Sequence, residues 1–349
     1  MKEILGHGEL LTRLWSAAAA GRLGHSLLLT GPVGVGKFLV LERLAAGLLC
    51  AQGPSEPCGV CPACRRVAAD SHPDILRVDA LSHGFEELTI HFVAHREVRP
   101  QGAWDGESIE GFLRLVAAEG GWRVVLIRDA DRMNEETQNA FLKTLEEPGN
   151  RVLLAMETSR PEALLDTVRS RVVQARVPGL TRDEVSRALA GVAPQWAQDP
   201  EWLRLAAGSP GRLLGLGHRH AQEGLALLAQ AFRGAIHAPS LVGELMNLPG
   251  EFKGRTPKAG ERLRVRFLLE LGLEIQRDQE RLDAGLSPDS VMYASLLADC
   301  PCPSAAARAQ RLEIWLQARR DLDLNLNPAG VLERVLDFTS SLLLQGQDT

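Results

Sequence analysis

The stretch Ser26–Leu39, SLLLTGPVGVGKFL, limits what this chain can fold into more than any other. Ser26–Thr30 is a short apolar run with the length of a buried strand, and Gly31-Pro-Val-Gly-Val-Gly-Lys37 follows at once. From Phe38 to Leu49 apolar residues recur at helical spacing. Strand, glycine-rich loop, lysine and helix is the context in which such a loop cradles phosphate. Glycines let backbone N–H groups turn inward, and the helix N-terminus adds partial positive charge. Gly31, Gly34, Gly36 and Lys37 are therefore the candidate phosphate ligands, with Lys37 reaching the terminal phosphates. The following position breaks the pattern. A Ser or Thr hydroxyl is needed there to ligate Mg²⁺, and this chain has Phe38.

A second departure lies further on. Val124–Ile127 reads as a fully apolar strand, and in phosphate-loop enzymes such a strand ends in an acid that holds the Mg²⁺ water shell, often followed by a Glu. Here Arg128 and Asp129 stand at those places, and Asp131 is expected to face solvent or begin the next turn. Without the metal, phosphoryl transfer loses its main charge neutraliser. The expectation is that ATP and Mg²⁺ are not functionally bound, and that Arg128 pairs with Asp129 or a bound anion. The competing reading is an active ATPase that uses Asp129 and Asp131 with unusual Mg²⁺ geometry.

Cys50, Cys58, Cys61 and Cys64 form two C-x-x-C steps sharing a cysteine, with a fourth cysteine upstream. That spacing suits a closed four-thiolate zinc site, structural rather than catalytic because no position stays open for water. With no signal-peptide pattern and no long apolar run, the reading is a cytoplasmic chain in which thiols ligate metal rather than form disulfides. The net charge of −5 argues against a free-standing zinc-dependent nucleic-acid module, since no global positive field attracts a polyanion.

Along the rest of the chain, strands alternate with helices from 26 to 177, which implies a parallel sheet covered on both faces. Expected elements are a helix over Glu9–Ala20, strands at His72–Asp79 and Val152–Met156, and helices over Ser108–Ala118, Asn134–Glu147 and Leu164–Val168. Residues 80–107, with His83, His91 and His95, read as an inserted loop or hairpin. Beyond Pro178 strand signals disappear. Thr181 with Glu184 forms a capping-box pattern, short helices surround Gly208–Gly211, and 223–349 reads as a helical bundle for packing against partners.

Taken in order, the phosphate loop, the cysteine cluster, His72-Pro-Asp74, Asn139-Ala-Phe-Leu-Lys-Thr-Leu-Glu-Glu-Pro148, Ser170-Arg171, Gly208-Ser-Pro-Gly-Arg212 and Asn325-Leu-Asn-Pro328 resemble bacterial clamp-loader subunits of the AAA+ superfamily. The resemblance covers nearly the whole length. Motor subunits of that family (gamma or tau) keep Thr after the lysine and Asp-Glu at the second acidic motif; Phe38 and Arg128-Asp129 make this chain more similar to the delta prime kind of DNA polymerase III. The resemblance implies an α/β AAA+ (RecA-like) domain over 1–177 carrying the zinc module, a small helical lid over 178–222 and an all-α collar over 223–349. It implies a non-hydrolysing stator that helps load the sliding clamp onto primed DNA, with gamma/tau and delta subunits as partners. It gives Arg171, beside Ser170, the role of an arginine finger into a neighbouring ATPase site, although Val172 departs from the family's Ser-Arg-Cys. Arg212 matches the second sensor arginine, and Thr158 sits near the first-sensor position.

Overall fold

The computed structural model describes residues 4–344 except 97–99, 120, 195, 200–201, 204–205, 216–219, 235–236, 249–256, 289–290, 292, 299 and 324–325. The chain packs as two compact units: Met1–Gln198 with Gly208–Arg212, and Asp199–Ala207 with Leu213–Thr349.

The first unit is built on a five-stranded parallel sheet in the order β2-β3-β4-β1-β5. Its strands are β1 (Ser26–Thr30), β2 (Ile75–Val78), β3 (Arg123–Ile127), β4 (Val152–Thr158) and β5 (Val173–Arg176). Helices α1 (Gly8–Ala19), α2 (Lys37–Leu49), α3 (Pro62–Ala68), α4 (Ile90–Val93), α5 (Ile109–Arg114), α6 (Glu135–Glu146), α7 (Asp166–Arg169) and α8 (Arg182–Ala190) connect and follow them.

Side chains alternate across a strand, so the continuous apolar runs of β1, β3 and β4 must find cover on both sides. They do. Leu27, Leu29, Val124, Leu126, Leu153 and Ala155 pack with α1 and α2 residues such as Trp15 and Leu41 in one cluster. Leu28, Val125, Ile127, Leu154 and Met156 pack with Phe141 of α6 and Phe92 of α4 in another. A parallel α/β unit followed by helices is the architecture expected from the sequence.

Several boundaries moved. The helix expected over Ser108–Ala118 stops at Arg114: Ser108 caps it by accepting the Gly111 N–H, and the chain then turns extended at Leu115. That extended stretch brings Ala118 and Glu119 to the buried Asp74 carboxylate, which accepts both backbone N–H groups at 2.8 and 3.1 Å. The strand expected over His72–Asp79 shortens to Ile75–Val78 because His72 and Asp74 serve this anchor instead. Residues 80–107 hold a 3₁₀ turn at Leu81–His83 and the short α4, closed over an aromatic cluster in which Trp104 stacks on Phe92. Asn134 caps α6 and Thr181 with Glu184 forms the capping box of α8, both as expected.

The second unit is helical. Its longer helices are His220–Arg233, Ala238–Asn247, Pro257–Asp283, Ala305–Asp323 and Pro328–Leu344. Trp315 lies fully buried at its centre, donating its indole N–H to the Thr339 hydroxyl at 3.0 Å. Gly272 makes room for it, since a Cβ there would fall 1.9 Å from the Trp315 ring. Pro239 is tolerated in the Ala238–Asn247 helix because it occupies the first turn, where a missing N–H costs nothing. No described helix is long and apolar enough to cross a membrane.

Candidate functional site

In a parallel sheet of this kind ligands approach at the C-terminal ends of the strands. Here β1 runs into Gly31–Gly36, and Gly36, at φ 102°, precedes the first turn of α2. Gly31 is held against β5's exit, where a Cβ would sit 2.3 Å from the Val177 carbonyl oxygen. Gly34 accepts the Gly211 N–H at 2.9 Å, so the Gly208–Gly211 segment abuts the loop. Arg212 follows in the helix Pro210–Gly215, and its side chain lies outside the described residues.

Lys37 does not project toward solvent. Its side chain is 5% exposed, and its ammonium donates to the carbonyls of Gly31 at 3.2 Å and Pro32 at 2.9 Å. The third partner is the Glu157 carboxylate, 3.2 Å away and 6% exposed. An ammonium has three N–H donors, and all three are used. Glu157 reaches it because β4 alternates: Leu153, Ala155 and Glu157 share the face covered by α2. The other Glu157 oxygen accepts the Asp129 N–H at 2.9 Å. Burial, together with the Asp129 carboxylate, pushes the Glu157 carboxyl above the ordinary range, while Lys37 pulls it back.

The two positions that depart from the metal-binding pattern meet each other. The Arg128 guanidinium lies over the Phe38 ring, 4.5 Å from its centroid, and bonds Asp79 Oδ2 at 3.0 Å. Arg128 thus pairs with Asp79, not with Asp129 as the sequence suggested. Asp129, in left-handed backbone at φ 47°, pairs with Arg132 at 3.3 Å. Asp131 lies in the 3₁₀ turn Ala130–Arg132, the second of its two expected placements. Its side chain is buried rather than solvent-facing, accepting from the Thr158 hydroxyl at 2.6 Å and from Arg160 at 2.7 Å. Thr158 is therefore committed to Asp131 on the sheet face opposite Lys37.

Four cations of this edge have a carboxylate each: Lys37–Glu157, Arg128–Asp79, Arg132–Asp129 and Arg160–Asp131. Sequence reasoning missed Glu157 and Asp79. The sequence hid the first because the apolar run of β4 is the five residues Val152–Met156, so that Glu157 reads as the polar residue that ends the strand rather than as a buried carboxylate.

Arg171 sits apart from this cluster, in the turn between α7 and β5. Its Nε and Nη2 both reach Glu146 Oε1, at 2.8 and 2.7 Å, and its Nη1 donates to the Thr167 carbonyl. Ser170 donates to the same carbonyl. More than a third of the Arg171 side chain is exposed, so the ion pair is a surface one and contributes about 0–1 kcal/mol.

The four cysteines converge where α2 ends and α3 begins. Their sulfurs all lie within 4.8 Å of one another, and Cys58 and Cys64 Sγ are 4.0 Å apart. A tetrahedral cation with Zn–S bonds of about 2.3 Å needs S–S edges of about 3.8 Å, so the cluster could hold a metal ion such as zinc. The backbone N–H groups of Ala51 and Cys64 pull the Cys61 thiol down to about 6, and burial pushes Cys64 up to about 12. Among the described residues this is the one group of metal-ligand type; His83 instead packs edge-on against Trp104.

Known proteins bear on these residues. The chain is 35% identical over 208 residues to the DNA polymerase III subunit delta' of Pseudomonas aeruginosa, covering 56% of this chain and 58% of that one. It is 30% identical over 208 residues to the DNA polymerase III subunit tau of Escherichia coli, covering 59% and 30%. The matched part is thus little more than half of the first relative and under a third of the second. Among solved structures, a DNA polymerase III gamma subunit-related protein of Thermotoga maritima aligns with 96% of this chain and 98% of its own, at 18% identity and a TM-score of 0.45. The family model described as DNA polymerase III, delta subunit matches residues 6–181, the segment that contains the loop, the cysteine cluster and Arg171. Carrying that family's match over half its length, the chain belongs to the DNA polymerase III, delta subunit family.

Proposed function

We propose that this chain is a non-hydrolysing scaffold subunit of a bacterial DNA polymerase III clamp loader, helping gamma/tau and delta subunits to load the sliding clamp onto primed DNA. The observation that carries the reading is the charge matching at the strand ends. Mg-ATP needs a hydroxyl and an acid for the metal and an unpaired cation for the phosphates. This edge instead offers a phenyl ring under a guanidinium, and four cations each already neutralised. Asp129 and Asp131, the acids of the competing motor reading, are both held by arginines.

In this reading 178–222 is the lid and 223–349 the collar that joins neighbouring subunits. The cysteine cluster holds one structural zinc. Arg171 swings from Glu146 to a neighbour's ATP site, where a guanidinium neutralises charge developing on the transferred phosphoryl group. Leaving Glu146 costs little because the pair is exposed.

The test is steady-state ATP hydrolysis by the purified chain with Mg²⁺, with and without primed DNA. No turnover is expected where a motor subunit is active. Turnover abolished by Lys37→Ala would make this a divergent motor. In the reconstituted loader, Arg171→Ala should lower DNA-stimulated turnover with assembly intact, and unchanged turnover would return Arg171 to a purely structural role.

A further inference from the structure

Lys37 carries the charge that would draw a phosphoryl group into this loop, and the chain satisfies it internally. We propose that Glu157 is the resident anion of the loop: its carboxylate takes the place at Lys37 of a phosphoryl oxygen, and so sets the loop's rejection of phosphoryl ligands. This rests on the scaffold reading of the loop and names the residue that enforces it.

Three observations converge. First, both partners are buried, so the contact is a built part of the interior and not a surface pair that exchanges with water. Second, the carboxylate is positioned by the fold from two sides: strand alternation aims it at α2, and the Asp129 N–H holds its second oxygen. Asp129 takes up left-handed backbone at the turn that delivers this N–H. Third, three described cations of this edge are committed elsewhere. Arg128, Arg132 and Arg160 each have a carboxylate, so a phosphate that reaches Lys37 must either evict Glu157 or sit beside it as a second anion. Both alternatives are unfavourable in a buried site, because like charges that share one cation cannot both stay ionised cheaply.

Removing the carboxylate's charge while keeping its shape frees Lys37. Glu157→Gln leaves an amide oxygen for the Asp129 N–H and removes the competing anion. The ligand class the freed loop takes is a phosphoryl anion bound without metal, since Phe38 and Arg128 still fill the Mg²⁺ positions.

The experiment uses the full chain, zinc-replete and without added Mg²⁺. Inorganic pyrophosphate is titrated calorimetrically into the native protein, Glu157→Gln, and Glu157→Gln combined with Lys37→Met. Glu157→Gln should bind pyrophosphate at least tenfold more tightly than the native chain, and the added Lys37→Met should abolish the gain. In parallel, acylation of individual lysines is followed by mass spectrometry. Native Lys37 should react at least tenfold more slowly than the exposed Lys143, and Glu157→Gln should remove most of that protection. A folded Glu157→Gln that gains neither binding nor reactivity overturns the proposal. Native Lys37 reacting as fast as Lys143 overturns it whether or not the variant folds, as does saturable pyrophosphate binding by the native chain. None of these outcomes bears on ATP turnover, which alone decides the scaffold reading.

Discussion

Phe38 and Arg128 stand at two positions where the sequence pattern expects metal ligands, yet their side chains form one stacked pair, and that pairing has a measurable energy. Consider Phe38→Leu and Arg128→Gln, singly and together. Phe38→Leu keeps most of the apolar volume packed on the α2 core and removes the ring face. Arg128→Gln removes the charge from both the ring and Asp79. With the guanidinium 4.5 Å from the centroid but its side chain 44% exposed, the stack contributes about 0.5–1 kcal/mol. The Asp79 pair, on the same exposed side chain, contributes about 0.2–1 kcal/mol. Arg128→Gln alone should therefore cost about 1–2 kcal/mol. In the double-mutant cycle the Asp79 pair cancels, leaving a coupling of about 0.5–1 kcal/mol for the stack. Because the chain has two units, the assay is hydrogen exchange of β1 and β3 amides by mass spectrometry, which follows the first unit without requiring a single unfolding step. Raising the salt to about 0.5 M should shrink the Arg128→Gln cost, as the exposed ion pair is screened, and leave the coupling nearly unchanged. A coupling indistinguishable from zero, or one that vanishes with salt, would mean that the guanidinium stands free of the ring.

Other consequences can be checked alongside. One zinc per chain is expected by metal analysis, and Cys61→Ser should abolish it; the α3 amides over Pro62–Ala68 should then exchange at least tenfold faster, because α3 is tied to α2 through the cluster. Asp74→Ala should destabilise the first unit by about 3 kcal/mol, since it strips two backbone donors and the counter-charge from the buried Arg123, measured by the same exchange. Thr181→Ala should cost about 1 kcal/mol through loss of the α8 cap. The Thr181 N–H and hydroxyl hold the Glu184 carboxyl below its usual range, so this cap's support is fully present above the ordinary glutamate pKa and is lost as pH falls through the lowered folded value. The stability gap between Thr181→Ala and the native chain, read by the same exchange, should narrow as pH falls.

What the sequence disclosed follows from how locally each feature is determined. β1, the loop and α2 were legible because period, glycine placement and length all agree over one continuous stretch. The capping residues Asn134 and Thr181 were legible for the same reason, each acting three residues away. The cysteine cluster could be read because its ligands span only 50–64. The pairings at the strand ends could not: Lys37 and Glu157 are joined by the β1–β4 register, and Arg128 and Asp79 by the β2–β3 register. Those contacts depend on strand order, which local pattern does not fix. The early end of α5 was hidden likewise, because its cause is the distant Asp74 carboxylate.

The glycine-rich loop is a packing result before it is a nucleotide one. Gly31 is required because a Cβ would collide with the Val177 carbonyl as β1 passes the exit of β5. Gly211 is required because its own Cβ would lie 2.7 Å from the Gly34 oxygen, and Gly34 itself holds a left-handed φ of 77°. Gly36 turns the chain, at φ 102°, into a helix whose first residue is Lys37. The lysine in turn satisfies the carbonyls of Gly31 and Pro32, so the loop's shape and its cation stabilise each other through contacts wholly within the chain. Replacing Lys37 by Met should therefore loosen the loop even where no phosphate is ever bound. Faster exchange of the Val35–Val40 amides in that variant, in phosphate-free buffer, is the expected result. Unchanged exchange there would show that the glycines alone hold the loop, and that Lys37 is a side chain that merely found a partner in Glu157.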